Sequence, residues 1–393
     1  MLDVSHASVK HAPGARSAHS LATDARTAVR EVHAVLAEPN LALVLFFCSS
    51  NYDREALANE MNSLFCGVQV VGCTTAGEFG PAGYLDCSLS AVAFSATGFT
   101  AVSGHIDRLH QFQMAEGREL ALGLVGKLED ATTDEIGTNT FALLLIDGLS
   151  QREEHVARSL QSALGHIPLV GGSAGDGKRF QAAEVFSQGS FNTDRAVVLL
   201  VNTALPFRIV KTQHFIPTET RLVVTAADEH RVVTEIDGRP AAEGYARLLG
   251  VDARSLCPAT FADAPVVVVI DGACYVRSIQ KANLDGSLTF FCAIEEGLVL
   301  RMVHGVDLVQ NLEQAFDEIC AAIGTPQLFI GFDCVLRKLE IERRGDTSRV
   351  SELLRRNNAV GFNTYGEQFR GLHVNQTLTG IAIGCAPSGE NDG

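Results

Sequence analysis

The chain has 393 residues, of which 46% are hydrophobic and 20% charged, and its formal net charge is −15. This length and composition predict two or three folded domains and exclude a chain that is disordered overall. The acidic balance argues against nucleic-acid binding, since a negative field repels phosphates. The longest apolar run, residues 41–48, is far shorter than the roughly 18 residues of a membrane span. We therefore expect a cytoplasmic protein with no nucleic-acid or membrane partner.

The N-terminal segment has no hydrophobic period, so residues 1–24 are predicted to be a flexible tail, as are residues 386–393 at the other end. Asp24 precedes apolar residues at helical spacing, which predicts a helix that ends before Pro39. The ten cysteines are scattered without a CxxC pair. This pattern predicts reduced thiols and no structural zinc site.

An internal repeat organises the next part of the chain. Residues 41–78 and 141–176 both read as an apolar strand, a polar turn, an amphipathic helix, a short strand ending in Val-Gly, and a small-residue loop ending in Ala-Gly and an acid. The similarity continues downstream, where the strand at 88–94 corresponds to the strand at 196–201. Two copies of one strand–helix–strand–loop–strand unit are therefore predicted.

A third copy lies near the C-terminus. It consists of a strand at 328–334, a helix at 349–356, the segment 359–369 and a closing strand at 378–384. Its loop aligns without a gap with the first one, which pairs Gly72 with Gly361, Thr75 with Thr364, Gly77 with Gly366, and Glu78 with Glu367. A long insertion precedes this copy.

The order of elements predicts an α/β fold with helices covering the sheets. The repeated strands are continuously apolar, which is typical of strands buried on both faces. Between residues 223 and 301 the pattern changes to a hairpin, a short helix from Pro240 and further strands joined by glycine turns. We therefore predict two parts, residues 25–215 with two repeats and residues 216–385 with the third.

The three small-residue loops are candidate ligand-binding segments, because loops at the carboxyl ends of strands bind ligands in α/β folds. The alternative is a sharp turn whose acid caps backbone amides. Phosphate binding is disfavoured, since each loop carries a carboxylate and no P-loop lysine follows. The candidate ligand-binding residues are Gly72, Thr75, Glu78, Gly172, Ser173, Asp176, Asn363, Thr364 and Glu367.

Ser173 also satisfies the G-x-S-x-G pattern of a nucleophile elbow after a strand. However, a polar loop follows instead of the helix that this motif requires, and the sister loops carry Thr74 and Asn363 at the same place. A shared structural role explains Ser173 better than catalysis. We therefore expect no enzyme, with an esterase as a distant alternative.

Two histidines stand apart from the others. His214 ends a strand at the predicted domain boundary and is followed by Phe215, and His373 lies just before the last strand. Each is an ordinary packing histidine or a ligand to a cofactor.

These motifs resemble the FIST family, a sensory domain of prokaryotic signalling proteins with an N-terminal and a C-terminal part. The resemblance covers roughly residues 25–385 and depends on VVGCTTAGE, PLVGGSAGD, EIDGRPAAEGYARLLG and VGFNTYGEQF. It implies a module that binds small molecules such as amino acids, coupled to a histidine kinase or a cyclic-dinucleotide signalling enzyme.

Almost the whole chain resembles the sensor, as in stand-alone FIST proteins that bind haem, sense nitric oxide and control a histidine kinase. This resemblance implies haem as a cofactor, with His214 as the iron ligand, Phe215 beside it and His373 as the alternative ligand. A sensor of an amino acid or another small polar ligand, without haem, is the second hypothesis.

Overall fold

The structure, a computed structural model, describes residues 11–12, 14–228, 230–270 and 272–385. Three related units follow one another in this part of the chain. The first unit comprises β1 (His11–Ala12), β2 (Ala15–Ser20), α1 (Ala25–Leu36), β3 (Leu41–Ser49), α2 (Arg54–Leu64), β4 (Val70–Thr75), β5 (Glu78–Gly80), β6 (Gly83–Leu85) and β7 (Leu89–Ser95).

In the first unit, β2, β7, β3 and β4 lie side by side in that order. β3 and β4 are parallel, since α2 returns the chain across the sheet, and β7 runs antiparallel to β3. The helix predicted after Asp24 is α1, and the Asp24 carboxylate accepts a hydrogen bond from the Thr27 amide at its N-terminus. It ends at Leu36, before Pro39, as predicted.

Part of the predicted N-terminal tail belongs to the sheet. β2 pairs with β7 along its whole length, and Ala15 and Ala18 are buried. The residues of β2 are small or polar, so they lack the apolar signal that identifies a strand, although they pack closely at the sheet edge. The rest of that tail, residues 1–10 and 13, and the tail 386–393 lie outside the described residues.

The second unit repeats this arrangement. Its strands β8, β13, β9 and β10 lie side by side in the same relation as β2, β7, β3 and β4. It comprises β8 (Thr100–Asp107), α3 (Met114–Ala131), α4 (Ile136–Asn139), β9 (Thr140–Asp147), α5 (Glu153–Leu164), β10 (Leu169–Ala174), β11 (Val185–Ser187), β12 (Ser190–Asn192) and β13 (Arg195–Asn202).

The third unit begins with β14 (Phe207–Thr212) and is interrupted by an inserted sheet. The insertion comprises β15 (Phe215–Ala227), β16 (Val232–Ile236), β17 (Arg239–Pro240), α6 (Ala241–Leu249), α7 (Pro258–Asp263), β18 (Val266–Ile270), β19 (Ala273–Arg277), β20 (Ile279–Ala282), β21 (Leu288–Phe290) and β22 (Val299–Gly305). The hairpin and the short helix near Pro240 are confirmed by β16, β17 and α6.

The chain then completes the third unit with α8 (Leu308–Ile323), β23 (Leu328–Cys334), α9 (Val335–Arg344), α10 (Thr347–Arg356), β24 (Ala359–Thr364), β25 (Glu367–Phe369), β26 (Leu372–Val374) and β27 (Leu378–Ile383). Its sheet order is β14, β27, β23, β24. The third unit thus begins before the domain boundary predicted at residue 215, because β14 precedes that residue and pairs with β27.

Each unit extends a neighbour's sheet with a hairpin. The hairpin β5–β6 pairs with β24, β11–β12 pairs with β4, and β25–β26 pairs with β10. The three sheets pack against each other through their inner faces, where Phe47, Leu145 and Phe332 are fully or almost fully buried, and helices cover the outer faces. The predicted α/β fold, with sheets buried on both faces, is confirmed.

The three small-residue loops meet at the centre of this arrangement. The amide of Gly175 donates to the carbonyl of Thr74 at 3.0 Å, Tyr365 donates to Ser173 at 3.2 Å, and Ala76 donates to Asn363 at 2.9 Å. The donors are aligned positions in the repeat, and so are the acceptors. The backbone hydrogen bonds therefore connect the loops in a closed ring.

Candidate functional site

A polar cleft of about 310 Å³ opens between the loops of the first and second units. Here "the cleft" means the space lined by Ser49, Ser50, Asn51, Thr75, Ala76, Gly77, Glu78, Asp86, Cys87, Asp176, Gly177, Lys178 and Arg179. Strand ends and interunit loops form its walls, which is where α/β folds place ligands. A cavity of about 360 Å³ elsewhere is lined mainly by α8 and α10 of the third unit, away from the ring of loops.

Glu78 forms the floor of the cleft and is fully buried. One carboxylate oxygen accepts a hydrogen bond from the Thr75 hydroxyl. The other accepts from the Ser88 amide at 3.1 Å and from the Ser88 hydroxyl at 2.7 Å. Burial raises the pKa of Glu78 to about 7, although these hydrogen bonds and Lys338 oppose the increase. Glu78 therefore changes charge near neutral pH.

Glu367 has the same surroundings in the third unit, but it does not line the cleft. It accepts from the Thr364 hydroxyl, from the Thr377 amide at 3.2 Å and from the Thr377 hydroxyl at 2.7 Å. Burial raises its pKa to about 8 against these hydrogen bonds, and the nearby Asp333 carboxylate raises it further.

Asp176, the acid of the second loop, has a different position and role. Its carboxylate accepts hydrogen bonds from the Tyr365 hydroxyl and from the amides of residues 180–182. Burial alone would raise the pKa of Asp176, but these hydrogen bonds hold it below the usual value. Val185 of the second unit pairs with Cys73, just as Glu78 of the first unit pairs with Phe362. Val185, and not Asp176, therefore occupies the position in the second unit that corresponds to Glu78. The three acids are therefore not equivalent.

The glycines among the candidates serve packing. Gly72 lies in β4, where an added Cβ would be 2.5 Å from the carbonyl oxygen of Phe46. An added Cβ at Gly172 would be 2.6 Å from Thr364 Cγ2. Both glycines therefore allow close approach of neighbouring strands, and neither of them lines the cleft.

Asn363 and Ser173 are fully buried behind the ring of loops. The Asn363 amide group lies 3.4 Å from Asp333 Oδ2, and Ser173 Oγ accepts from Gln368 Nε2 at 2.8 Å. The Ser173 hydroxyl therefore does not face solvent. Of the nine predicted residues, Thr75, Glu78 and Asp176 line the cleft.

Three charged residues that line the cleft, Asp86, Lys178 and Arg179, were not predicted from the sequence, and neither was Lys338 beside it. Arg179, about half exposed, donates to Ser50 Oγ at 2.5 Å and Asn51 Oδ1 at 3.2 Å. Lys338 of α9 contacts Asp86 Oδ1 at 2.5 Å. The alignment of the first and third units could have indicated Asp86, because it places another polar residue, Asn375, at the same position of the third unit. Lys338 has no such signal, since it lies in an ordinary charged helix.

His214 does not fit the role of haem iron ligand. The ring is fully buried; Nε2 lies 2.9 Å from Glu340 Oε2, and Nδ1 lies 3.2 Å from a guanidinium nitrogen of Arg337. Since arginine only donates, Nδ1 accepts and Nε2 donates to Glu340. Burial lowers the pKa of His214, which agrees with this neutral form. Both nitrogens are therefore occupied, and Phe215 packs on the ring with centroids 4.1 Å apart.

His373 also lacks room for a porphyrin. It is 2% exposed, and Nδ1 lies 3.2 Å from Gln368 Nε2. Its Nε2 has no hydrogen-bond partner among the residues that the structure describes, but an added Cβ at Gly366 would be only 2.6 Å away. The ring edge therefore faces the main chain of the third loop.

Metal-binding clusters and membrane-spanning helices are both absent from the described residues. These residues contain no group of three or more His, Cys, Asp or Glu side chains arranged to hold a metal ion. No helix in the same ranges is long and apolar enough to cross a bilayer. None of the ten cysteines, all of which lie in the described ranges, forms a disulfide there, and their reduced state stays a prediction. The cytoplasmic location stays a prediction.

Comparison with known proteins gives the family. The FIST N domain model matches residues 42–239, and the FIST C domain model matches residues 241–370. The chain is also similar to an uncharacterized protein of Methanocaldococcus jannaschii, with 23% identity over 397 aligned positions that cover 88% of this chain and 74% of that protein. FIST domains are generally sensory domains that bind small ligands in signal transduction. Because the two models together cover most of its length, the chain belongs to the FIST family.

Proposed function

We propose that this protein is a sensor whose small polar ligand binds in the cleft between the first and second loops. The observation that carries the proposal is the convergence of hydroxyl, amide and charged groups of both signs in one opening at the ring of loops. A ligand there contacts two units at once. Binding therefore changes the relation between units, which is what a sensor needs to transmit.

The cleft favours a ligand that carries both charges, such as an amino acid. Arg179 and Lys178 supply positive groups, and Asp176 supplies a carboxylate that lines the same cleft. Ser50 and Asn51 add neutral hydrogen-bonding groups beside Arg179. Opposite charges at short separation suit a zwitterion, because each end meets its complement.

Isothermal titration calorimetry with the twenty standard amino acids tests this proposal. We expect at least one to bind, and Arg179→Met to weaken its binding by about 10-fold or more, since a charged hydrogen bond is lost. Arg30→Met is the matched control: Arg30 is also exposed and pairs with Glu60 at 2.7 Å, but it lies on α1. Equal affinities of wild type and Arg179→Met would contradict the proposal.

A sensory rather than catalytic role is part of this proposal. The burial of Ser173 and its hydrogen bond from Gln368 support it, because a nucleophile must reach its substrate. Ser173→Ala should leave any background hydrolysis of p-nitrophenyl esters unchanged. A loss of ester hydrolysis in this variant would favour the esterase alternative.

Haem binding, nitric oxide sensing and control of a histidine kinase or cyclic-dinucleotide enzyme stay predictions from the resemblance. The surroundings of His214 and His373 do not support haem at either residue. An absorption spectrum after haem reconstitution decides the question. A Soret band that shifts with nitric oxide would revive the haem hypothesis and require another iron ligand or an opened structure.

A further inference from the structure

One positive group beside the cleft, which is not among the residues that line it, comes from a distant part of the chain. Lys338 lies on α9 of the third unit, and its side chain is 7% exposed. Its ammonium group contacts Asp86 Oδ1 at 2.5 Å and lies 3.9 Å from Glu342 Oε1. It also lies so close to Gly77 that a Cβ there would collide with it. The ammonium group therefore sits directly behind the loop that forms the cleft wall.

The two partners of this ion pair differ in their surroundings. The Asp86 side chain is 73% exposed, whereas Lys338 is nearly buried. Asp86 can leave the pair at little cost, because water hydrates its carboxylate where it stands. Lys338 needs an anionic partner, since an unpaired buried charge is costly. A carboxylate that enters the cleft offers Lys338 the same chemistry as Asp86.

We propose that Lys338 binds the carboxylate of the cleft ligand, and that the Asp86 carboxylate pairs with Lys338 while no ligand is bound. The inference rests on the proposed function and specifies its ligand class: small carboxylates, with or without an amino group. On binding, the Asp86 side chain moves into solvent and the ligand carboxylate accepts the hydrogen bond from Lys338. No covalent bond changes.

The aligned site of the third unit supports this assignment. There, an added Cβ at Gly366 would meet the His373 ring and Asn375 Nδ2, whereas one at Gly77 would meet Lys338 Nζ, Asn363 Oδ1 and Asp86 Oδ1. The charged pair is thus replaced by two neutral side chains in the copy that does not open into the cleft. The ammonium–carboxylate pair of Lys338 and Asp86 thus lies beside the copy of the site that opens into the cleft.

Two variants give opposite results if the inference holds. Lys338→Met keeps the length of the side chain and removes the charge, so amino-acid binding should weaken by about 10- to 100-fold. Asp86→Asn removes the competing carboxylate, so the same binding should strengthen by several-fold. Lys211→Met, at a half-buried lysine on β14, should leave the affinity unchanged. Circular dichroism and Lys338→Arg, which keeps the charge, check that the fold persists.

Calorimetry uses three probe sets: the amino acids, their 2-hydroxy-acid analogues and the matching amines without a carboxylate. Lys338→Met should weaken binding of the first two sets and leave amine binding as in wild type. Weaker binding by Asp86→Asn, or an unchanged affinity in Lys338→Met, would overturn the inference. Amino-acid binding that depends on Arg179 but not on Lys338 would overturn it and leave the proposed function standing. If no probe binds wild type, both the proposed function and this inference fail.

Discussion

The surroundings of Glu78 and Glu367 are two versions of one structure with different access to solvent. Each carboxyl accepts from a threonine three residues earlier and from both the amide and the hydroxyl of a residue ten positions later. Glu78 forms the floor of an open cleft, whereas Glu367 is enclosed. The repeated hydrogen bonds therefore shape the loop in both units, and they do not by themselves make a binding site.

The enclosure of Glu367 comes from the insertion. Gln376 Nε2 donates to the carbonyl of Ala262 at 2.7 Å, and Gln376 Oε1 accepts from Ser278 at 3.0 Å. The aligned residue of the first unit is Cys87, which is exposed in the cleft. The opening of the cleft thus depends on residues in which the copies differ, whereas the residues that they share shape the loop in both units.

Truncation of the two carboxyls should give the largest effect and the clearest difference. Glu367→Ala should lower the free energy of unfolding by about 3–5 kcal/mol, because the Thr364 and Thr377 groups lose their partner where the insertion encloses them. Glu78→Ala should cost about 1–3 kcal/mol, since water from the cleft can replace the carboxyl.

Denaturation in urea at pH 6 measures both values, with the Glu55→Ala variant on exposed α2 surface as a control for a surface glutamate. A larger cost for Glu78→Ala than for Glu367→Ala would contradict the difference in enclosure.

The pH dependence of stability should separate the same two groups. Their folded pKa values, about 7 and about 8, lie above the roughly 4.3 of an unfolded chain. Between these values the folded protein binds more protons than the unfolded chain, so stability falls as pH rises. For Glu78 the loss should end near pH 7 and reach about 4 kcal/mol, and for Glu367 it should end near pH 8 and reach about 5 kcal/mol.

The Gln variants remove this titration. Glu78→Gln should flatten the dependence of the unfolding free energy on pH up to about 7, and Glu367→Gln should flatten it up to about 8. Denaturation curves between pH 4.5 and 8.5 measure the slopes. If both variants keep the wild-type slope, these carboxyls are not the groups that titrate.

The smallest expected effect concerns the contact that encloses the third-unit site. Gln376→Ala removes two buried hydrogen bonds and should lower stability by about 1–2 kcal/mol. Cys87→Ala, at the aligned open position, should change stability by less than about 0.5 kcal/mol. Both residues have positive φ, 50° and 53°, so the backbone effect of alanine is matched. Equal losses in thermal denaturation would show that the insertion contact is not what distinguishes the copies.

Local sequence determined the repeated unit of this protein. Continuous apolar strands, the Asp24 cap and the gapless alignment of the first and third loops predicted the α/β architecture, α1 and the shared position of Glu78 and Glu367. These features depend on periodicity and on spacing within a few turns of chain, so they can be recognised without knowledge of partners. The strand β2 lacked such a signal, because its small residues are selected by the sheet edge that they pack against.

The tertiary structure decided which copy of the unit opens into the cleft. Lys338 and Asp86 are 252 positions apart and meet because β5–β6 joins the sheet of the third unit. His214 was a plausible iron ligand by its aromatic neighbour, yet Glu340 and Arg337 of α9 occupy both of its nitrogens. The insertion encloses Glu367 through Ala262 and Ser278. Each of these contacts joins distant segments, and their energies depend on burial and distance, which a linear pattern does not specify.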